Sequence, residues 1–269
     1  KVQRIAQFAG IRTDENLNVL DEHMFYCKPT HDSLPAPEAC AVTGITPQLC
    51  EKKGFIEHEF IKKIHDEFSK PGTCIVGYNS IAFDDEYTRH TLFRNFLDPY
   101  SWHWQNGNAR WDILNVARFC YAHKEEGSLN WVKNEKNRPI FKLDRLAPAN
   151  HIEHTNAHDA MADVRATIGI ARIIKDTQPK FFNYALSLND KKEVAQLVKP
   201  LHPMLLTSSS FGYKSSFTRL VTSICNHPEY NDRSIVFNLN QDPEIFLELE
   251  SEELKTLTFS RKSDLPKGI

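Results

Sequence analysis

The sequence predicts an α/β protein, helices flanking a mixed sheet, followed by part of a smaller β-rich domain. Three observations carry this. Strand-like runs alternate with helical spacing between Ala6 and Ile174. The short apolar run Cys74 to Tyr78, of the buried-strand type, passes through Asn79-Ser80 directly into a helical pattern. Beyond Pro200 the chain changes to short β-prone runs separated by Gly, Pro and Asn.

Taken in order, QFAGIRTDENLNVLDEHMFYCKP reads as two alternating strands around the polar turn Asp14-Glu15-Asn16. LPAPEACAVTGIT follows as a loop and short helix. Phe55, Phe60, Ile61, Ile64 and Phe68 mark one face of a helix ended by Pro71-Gly72. After the Cys74 strand a helix is expected from about Ala82, then a tract to Trp111, then a helix from about Asp112 to Tyr121. The polar segment HKEEGSLNWVKNEKNRP reads as a surface loop, and Phe141 to Pro148 leads into a last helix. That helix is marked by Met161, Val164, Ile168, Ile170 and Ile174, with Asn156 available to cap it. The pattern breaks at Asp176-Thr-Gln-Pro179, and KFFNYALSLNDKKEVAQLVK forms a connecting helical piece. The expected domains are therefore 1–178 and 179–269.

With 269 residues, 41% of them hydrophobic, the chain can bury a substantial core. It has no run of eighteen apolar residues, so a soluble protein is expected. The six cysteines, 27, 40, 50, 74, 120 and 225, show neither Cys-x-x-Cys pairing nor zinc spacing and read as reduced thiols of a cytoplasmic protein. A net charge of −2 is not the basic footprint of a nucleic-acid binder, but carboxylates concentrated at a metal site would mask a basic groove elsewhere.

Two carboxylate sites carry chemistry. In Asn156-Ala-His158-Asp159-Ala-Met-Ala-Asp163 a histidine precedes an aspartate where a loop becomes a helix, so Asp163 is held rigidly one turn in while His158 sits at the mouth. A helical Asp suits metal ligation, and a loop His titrates in the range where it can take a proton from water. Asp159 and Asp163 equally suit complementing the helix dipole. The second site is Asp84, at the carboxyl end of a strand and the start of a helix, where sites of open α/β sheets gather. Dipole complementation is again the competing role, and Asp85 and Glu86 are expected to do little else.

The patterns Asn79-x-x-x-Phe83-Asp84 and His158-x-x-x-x-Asp163 resemble the second and third motifs of the DEDD exonuclease superfamily, in its catalytic-histidine branch. The segments AQFAGIRTDENLNVLDEHMFYCKP, VTGITPQ, GYNSIAFDDEYTR, FRNFLDPYSWHWQ, RWDILNVARFCYA and HIEHTNAHDAMADVRATI are, in this order, similar to the bacterial exonuclease I family. The resemblance implies a ribonuclease H-like sheet followed by part of a small β-barrel-like domain. It implies 3′→5′ hydrolysis of single-stranded DNA to 5′-mononucleotides in repair and recombination. It also implies single-strand-binding protein as a partner; a monomer is expected. Within enzymes the alternative is an exoribonuclease of the same superfamily, and outside them a catalytically silent single-strand-binding fragment.

The family's first motif, Asp-x-Glu on the first strand, is absent. Only Asp84-Asp85-Glu86 and Asp242-Pro-Glu244 have the spacing, the first opening a helix and the second carrying a proline. In the family that strand is the centre of a five-stranded sheet. Losing it would leave buried backbone groups unpaired, each costing about 1–3 kcal/mol. The expectation is an upstream segment of about twenty residues, a length the resemblance implies, bearing an apolar strand and Asp-x-Glu.

RNFLDPYSWHWQNGNARW interleaves aromatic and basic residues, a composition suited to stacking single-strand bases without reading their identity. Of Trp102, Trp104 and Trp111, one or two are expected in the core. By resemblance Arg89, Tyr100, Trp104 and Arg118 contact the strand, and Lys142, where the family has Arg, lies near the reacting nucleotide. A lysine keeps the charge but lacks the bidentate fork. Phe211, Tyr213, Lys214 and Arg219 could extend the strand's path, though exposed aromatics of a small barrel explain them equally. The reading assigns Asp84 and Asp163 as ligands of two Mg²⁺ ions, with Mn²⁺ able to substitute, and His158 as the base.

Overall fold

The hairpin expected around Asp14 forms: β1 (Gln7–Thr13) pairs antiparallel with β2 (Val19–Tyr26), setting Phe8 opposite Phe25 and Ile11 opposite Glu22. Asp14 closes the turn by accepting from the backbone N–H groups of Asn16 at 2.8 Å and Asn18 at 2.9 Å. This computed structural model describes residues 4–33, 35–124, 126–154, 159–230 and 232–260, and the chain divides into two units, Lys1–Asp190 and Lys191–Ile269.

In the first unit, α1 (Pro37–Thr43) ends at Gly44, whose φ of 71° suits a residue without a Cβ. The following α2 (Pro47–Lys53) was not anticipated. Its signal is the Thr46-Pro47 pair: the Thr46 hydroxyl accepts from Leu49 N at 3.2 Å, and proline takes the first helical position. α3 (Glu57–Phe68) buries Phe60, Ile61 and Ile64 on the expected face, against Cys27, Leu92 and Trp102.

Next comes β3 (Cys74–Gly77), then α4 (Asp84–Arg94), then β4 (Ala109–Asp112) parallel to β3, with Gly77 opposite Asp112. β4 was missed because four residues, Ala-Arg-Trp-Asp, are too few to show a period. α5 (Ile113–His123) packs Ile113, Val116, Ala117 and Cys120 into a second core. The segment expected as a surface loop is a correction. It contains the short hairpin of β5 (Val132–Lys133) and β6 (Pro139–Ile140), Leu129 is 5% exposed, and Trp131 packs on the second core. Two apolar residues spaced within a polar run give no periodic signal.

α6 (Leu143–Ala149) and α7 (Ala160–Thr177) complete that core with Leu146, Ala166, Ile170 and Ile174. The buried stripe of α7 runs through Ala166, Thr167, Ile170, Ala171 and Ile174, not through Met161, Val164 and Ile168, which are only half-buried. Small residues face inward because neighbours come close: a Cβ on Gly169 would meet Ile152 at 2.9 Å. Arg172 donates to Leu17 O at 2.6 Å, Lys175 to Glu15 O at 2.5 Å, and Arg165 pairs with Glu22 at 2.7 Å, clamping α7 along the hairpin. The connecting piece is two helices. α8 (Pro179–Ser187) closes the second core with Phe181 and Phe182, and α9 (Lys191–Leu197) belongs to the second unit. Among the described residues β1–β2 and β3–β4 are separate two-stranded sheets, which no described strand joins.

The second unit holds the antiparallel meander β7 (Pro203–Thr207), β8 (Thr218–Asn226), β9 (Ser234–Asn238), as its β-prone runs require. Val221 and Ser223 lie on its buried face. Phe211, Tyr213 and Lys214 stand in two single-turn helices between β7 and β8, the two aromatics half-buried, and Arg219 is the second residue of β8. α10 (Glu244–Leu247) follows Asp242-Pro243, and α11 (Ser251–Phe259) opens on a Glu250–Glu253 capping box. No described helix is long and apolar enough to cross a membrane, and the six cysteines are free.

Candidate active site

The turn leaving β3 delivers Asp84. It is tight at both ends: a Cβ on Gly77 would meet the Ser80 side chain at 2.5 Å, and Asn79 adopts a left-handed φ of 63°, which a short polar side chain tolerates. Ser80 O accepts from Phe83 N and Asp85 N, and the Asp112 carboxylate accepts from Asn79 N and Ile81 N. The helix then begins at Asp84.

Its three acidic residues have separate fates. Asp85 is buried and pairs with Arg110 at 2.8 Å; Glu86 pairs with Arg89. Both do more than complement the dipole, a role that was all the sequence suggested. Asp84 has no cationic partner among the described residues. Its carboxyl is open to water on one side yet crowded by protein. Burial first, and then the charges of Asp85, Asp112 and Asp163, push its pKa up to about 6. Asp163, the weakest of these influences, is the one that comes from a different helix, so its charge reaches Asp84 across the fold.

Asp163 stands in the first turn of α7, where Asp159 is the observed cap, accepting from Met161 N at 3.4 Å. Asn156, the expected cap, and His158, the expected base, lie outside the described residues. One Asp163 oxygen meets Nε2 of the buried His154 at 2.6 Å. Among the described residues no three His, Cys, Asp or Glu side chains converge closely enough to hold a metal ion. What the chain brings is a pair of hard oxygen donors, one of them uncompensated, which fits part of a divalent-cation site.

The basic and aromatic residues fall into two groups. The Arg89 guanidinium lies 5.7 Å from the Tyr100 ring centroid, with Tyr100 54% and Trp104 60% exposed. Trp102 and Trp111 are core residues, so of the three tryptophans only Trp104 is open to a ligand. The other group begins with Arg118 and Tyr78, whose charges interact with that of Asp112. Arg118 is half-buried, its pKa lowered by burial against the opposing pull of Asp112 and Tyr78, and it donates to Asn115 at 3.1 Å. Tyr78 donates to Phe141 O at 2.5 Å, which ties the exposed Lys142, next in the chain, to the end of β3.

Sequence reasoning missed Asp112, Tyr78 and His154. None belongs to a motif with a spacing signal, since each acts through a partner distant in the chain.

An α/β unit with an aspartate at a strand's exit and a second on another helix fits a ribonuclease H-like nuclease domain, and its likeness to known proteins shows that fold. Residues 1–171 match the Exonuclease family model and residues 189–269 the Exonuclease I SH3-like domain model. The chain belongs to this exonuclease family. It is 47% identical over 265 residues to exodeoxyribonuclease I of Haemophilus influenzae, and 46% identical over 267 residues to that of Escherichia coli. These alignments cover 97% and 98% of this chain but 56% of each relative, so the chain spans little more than half their length. The structure of E. coli exonuclease I in complex with a dA16 oligonucleotide superposes with a TM-score of 0.92 at 45% identity, over 97% of this chain and 56% of that one. The ExoI/SSB-Ct complex superposes with a TM-score of 0.89 at 44% identity, over 97% and 57%.

Proposed function

We propose that this chain carries the catalytic centre of a 3′→5′ exodeoxyribonuclease that hydrolyses single-stranded DNA to 5′-mononucleotides, in DNA repair and recombination. The observation that carries this reading is Asp84, without a cationic partner among the described residues and repelled by the charge of Asp163. Such an arrangement costs stability unless a cation offsets it, which is how functional carboxylates are built. The likeness to exodeoxyribonucleases I supports the substrate and the polarity.

Asp84 and Asp163 would supply part of the ligand set of two divalent cations, Mg²⁺ in this reading with Mn²⁺ able to substitute, because hard oxygen ligands favour these ions. Metal ions held there would supply an acidified water and charge neutralisation at the departing 3′ oxygen. His158 takes the water's proton on an imidazole nitrogen. The Asp-x-Glu pair that completes the family's ligand set has no counterpart in this sequence. Tyr100 and Trp104 offer rings for bases to stack on, Arg89 is braced over Tyr100, and Arg118 beside Asp112 and the exposed Lys142 would supply positive charge for the phosphates. The C-terminal peptide of single-strand-binding protein is the proposed partner, by likeness to the relative in the ExoI/SSB-Ct complex. We place the protein in the cytoplasm as a monomer, in keeping with its free cysteines.

The test is digestion of single-stranded DNA labelled at its 3′ or its 5′ end, with and without Mg²⁺, beside RNA of the same sequence. Metal-dependent early loss of the 3′ label as mononucleotide is expected. Preference for RNA, or release of the 5′ label first, would overturn the reading.

A further inference from the structure

We infer that Asp112 is a positioning residue for the Asp84 carboxylate, an inference that rests on the proposed metal site and names a group that organises it. Asp112 closes β4 directly opposite Gly77, the last residue of β3, and its side chain reaches across to the neighbouring strand's exit. Oδ1 accepts from Asn79 N at 2.8 Å and from Leu114 N at 3.0 Å, and Oδ2 accepts from Ile81 N at 3.3 Å. Only the Leu114 bond caps α5. The other two hold the turn that carries Asp84, including Asn79 in its left-handed conformation.

A plain helix cap would need no carboxylate. Serine, threonine or asparagine caps as well, without setting a negative charge where water is nearly excluded; Asp112 is 4% exposed. Its charge instead reaches Asp84, Asp85 and the guanidinium of Arg118. One group therefore fixes the backbone that aims Asp84 and deepens the negative potential that attracts a cation there. Groups that orient a ligand in this way commonly change metal affinity about 10–100-fold when altered.

The experiment compares Mn²⁺ binding by calorimetry, thermal unfolding, and amide exchange at Asn79 and Ile81 in wild type, Asp112→Asn and Asp112→Ser. Asp112→Asn keeps an oxygen for the cap but removes the charge and turns an amide donor toward one of the backbone N–H groups. Asp112→Ser keeps the cap and releases the turn. The expected result is Mn²⁺ affinity about 10-fold weaker in both, with faster exchange at Asn79 and Ile81 in Asp112→Ser. Wild-type binding with an unchanged dissociation constant in the two folded variants overturns this inference alone. Wild-type protein that binds no Mn²⁺ overturns the metal site itself, and the inference with it.

Discussion

Nε2 of His154 lies 2.6 Å from Oδ1 of Asp163, the imidazole 2% and the carboxylate 48% exposed. An ionised carboxylate can only accept, so Nε2 donates; Nδ1 is buried without a partner among the described residues. The ring holds one carboxylate oxygen and leaves the other without a described partner. His154→Ala should weaken Mn²⁺ binding about 10-fold, and His154→Gln, which retains a donor, should weaken it less. Calorimetric titration checks this, and equal affinity in all three proteins would sink it.

The crowding of Asp84 by like charge gives a pH dependence. Cations bind the ionised form, so metal affinity should rise as pH climbs through about 6 and fall below it. In chelator above pH 6, Asp84→Asn should stabilise the protein, because it removes a charge the folded state disfavours. Water reaches the group, so screening trims the gain to about 1 kcal/mol, roughly 2–4 °C in Tm. Below the ordinary carboxyl value of 3.8 the gain should vanish. Thermal unfolding across pH in chelator measures it.

Glu57 joins the start of α3 to the end of α4 and to Arg4: it accepts from Arg4 at 2.7 Å, from Arg94 at 2.8 and 3.0 Å, and from Asn95 at 3.0 Å. Burial opposes its ionisation, but the bonds from Arg94, Asn95 and Arg4 win and hold its pKa at about 2, against an ordinary 4.5. A depressed carboxyl stabilises the fold fully above 4.5 and loses that contribution as pH falls toward 2. Acid unfolding should show the loss, and Glu57→Gln should flatten it. At neutral pH that substitution should cost on the order of 3 kcal/mol, by leaving two guanidinium groups underpaired.

His158 and Asp163 should separate by function. His158→Ala should lower turnover about 10²–10⁴-fold with Mn²⁺ binding retained, as loss of a general base does. Asp163→Ala should lose the metal. Equal loss of metal affinity in both variants would refute the division.

The tryptophans offer a contrast within three residues. Trp104→Ala should fold normally and weaken single-stranded DNA binding by about 1–3 kcal/mol. Trp102→Ala, which empties a fully buried site in the first core, should cost about 3–5 kcal/mol of stability. Fluorescence binding and denaturant unfolding distinguish them.

What could be read along the chain was whatever repeats or marks a boundary over short distances. The hairpin at Asp14, the Phe60-Ile61-Ile64 face of α3, the strand-to-helix junction at Asp84 and the helix bearing Asp163 were all legible from period and punctuation. β4 and the hairpin of β5 and β6 were not, because two to four residues form strands only when a neighbour supplies the other half of the ladder. The inward stripe of α7 was misread for a related reason. Hydrophobicity ranked Met161, Val164 and Ile168 above Ala166 and Ala171, whereas close approach of α6 and the segment at Ile152 rewards small side chains.

The sequence by itself determined the kinds of element, their order, and two aspartates at helix starts, since these depend on neighbours a few bonds away. Only the tertiary structure decided that Asp84 has no counter-charge among the described residues while Asp85 is paired with Arg110, that Asp112 holds the turn before it, and that His154 grips Asp163. Electrostatic environment is a property of distances through space, and residues nine to thirty-three positions apart acquire those distances only when the strands and helices pack.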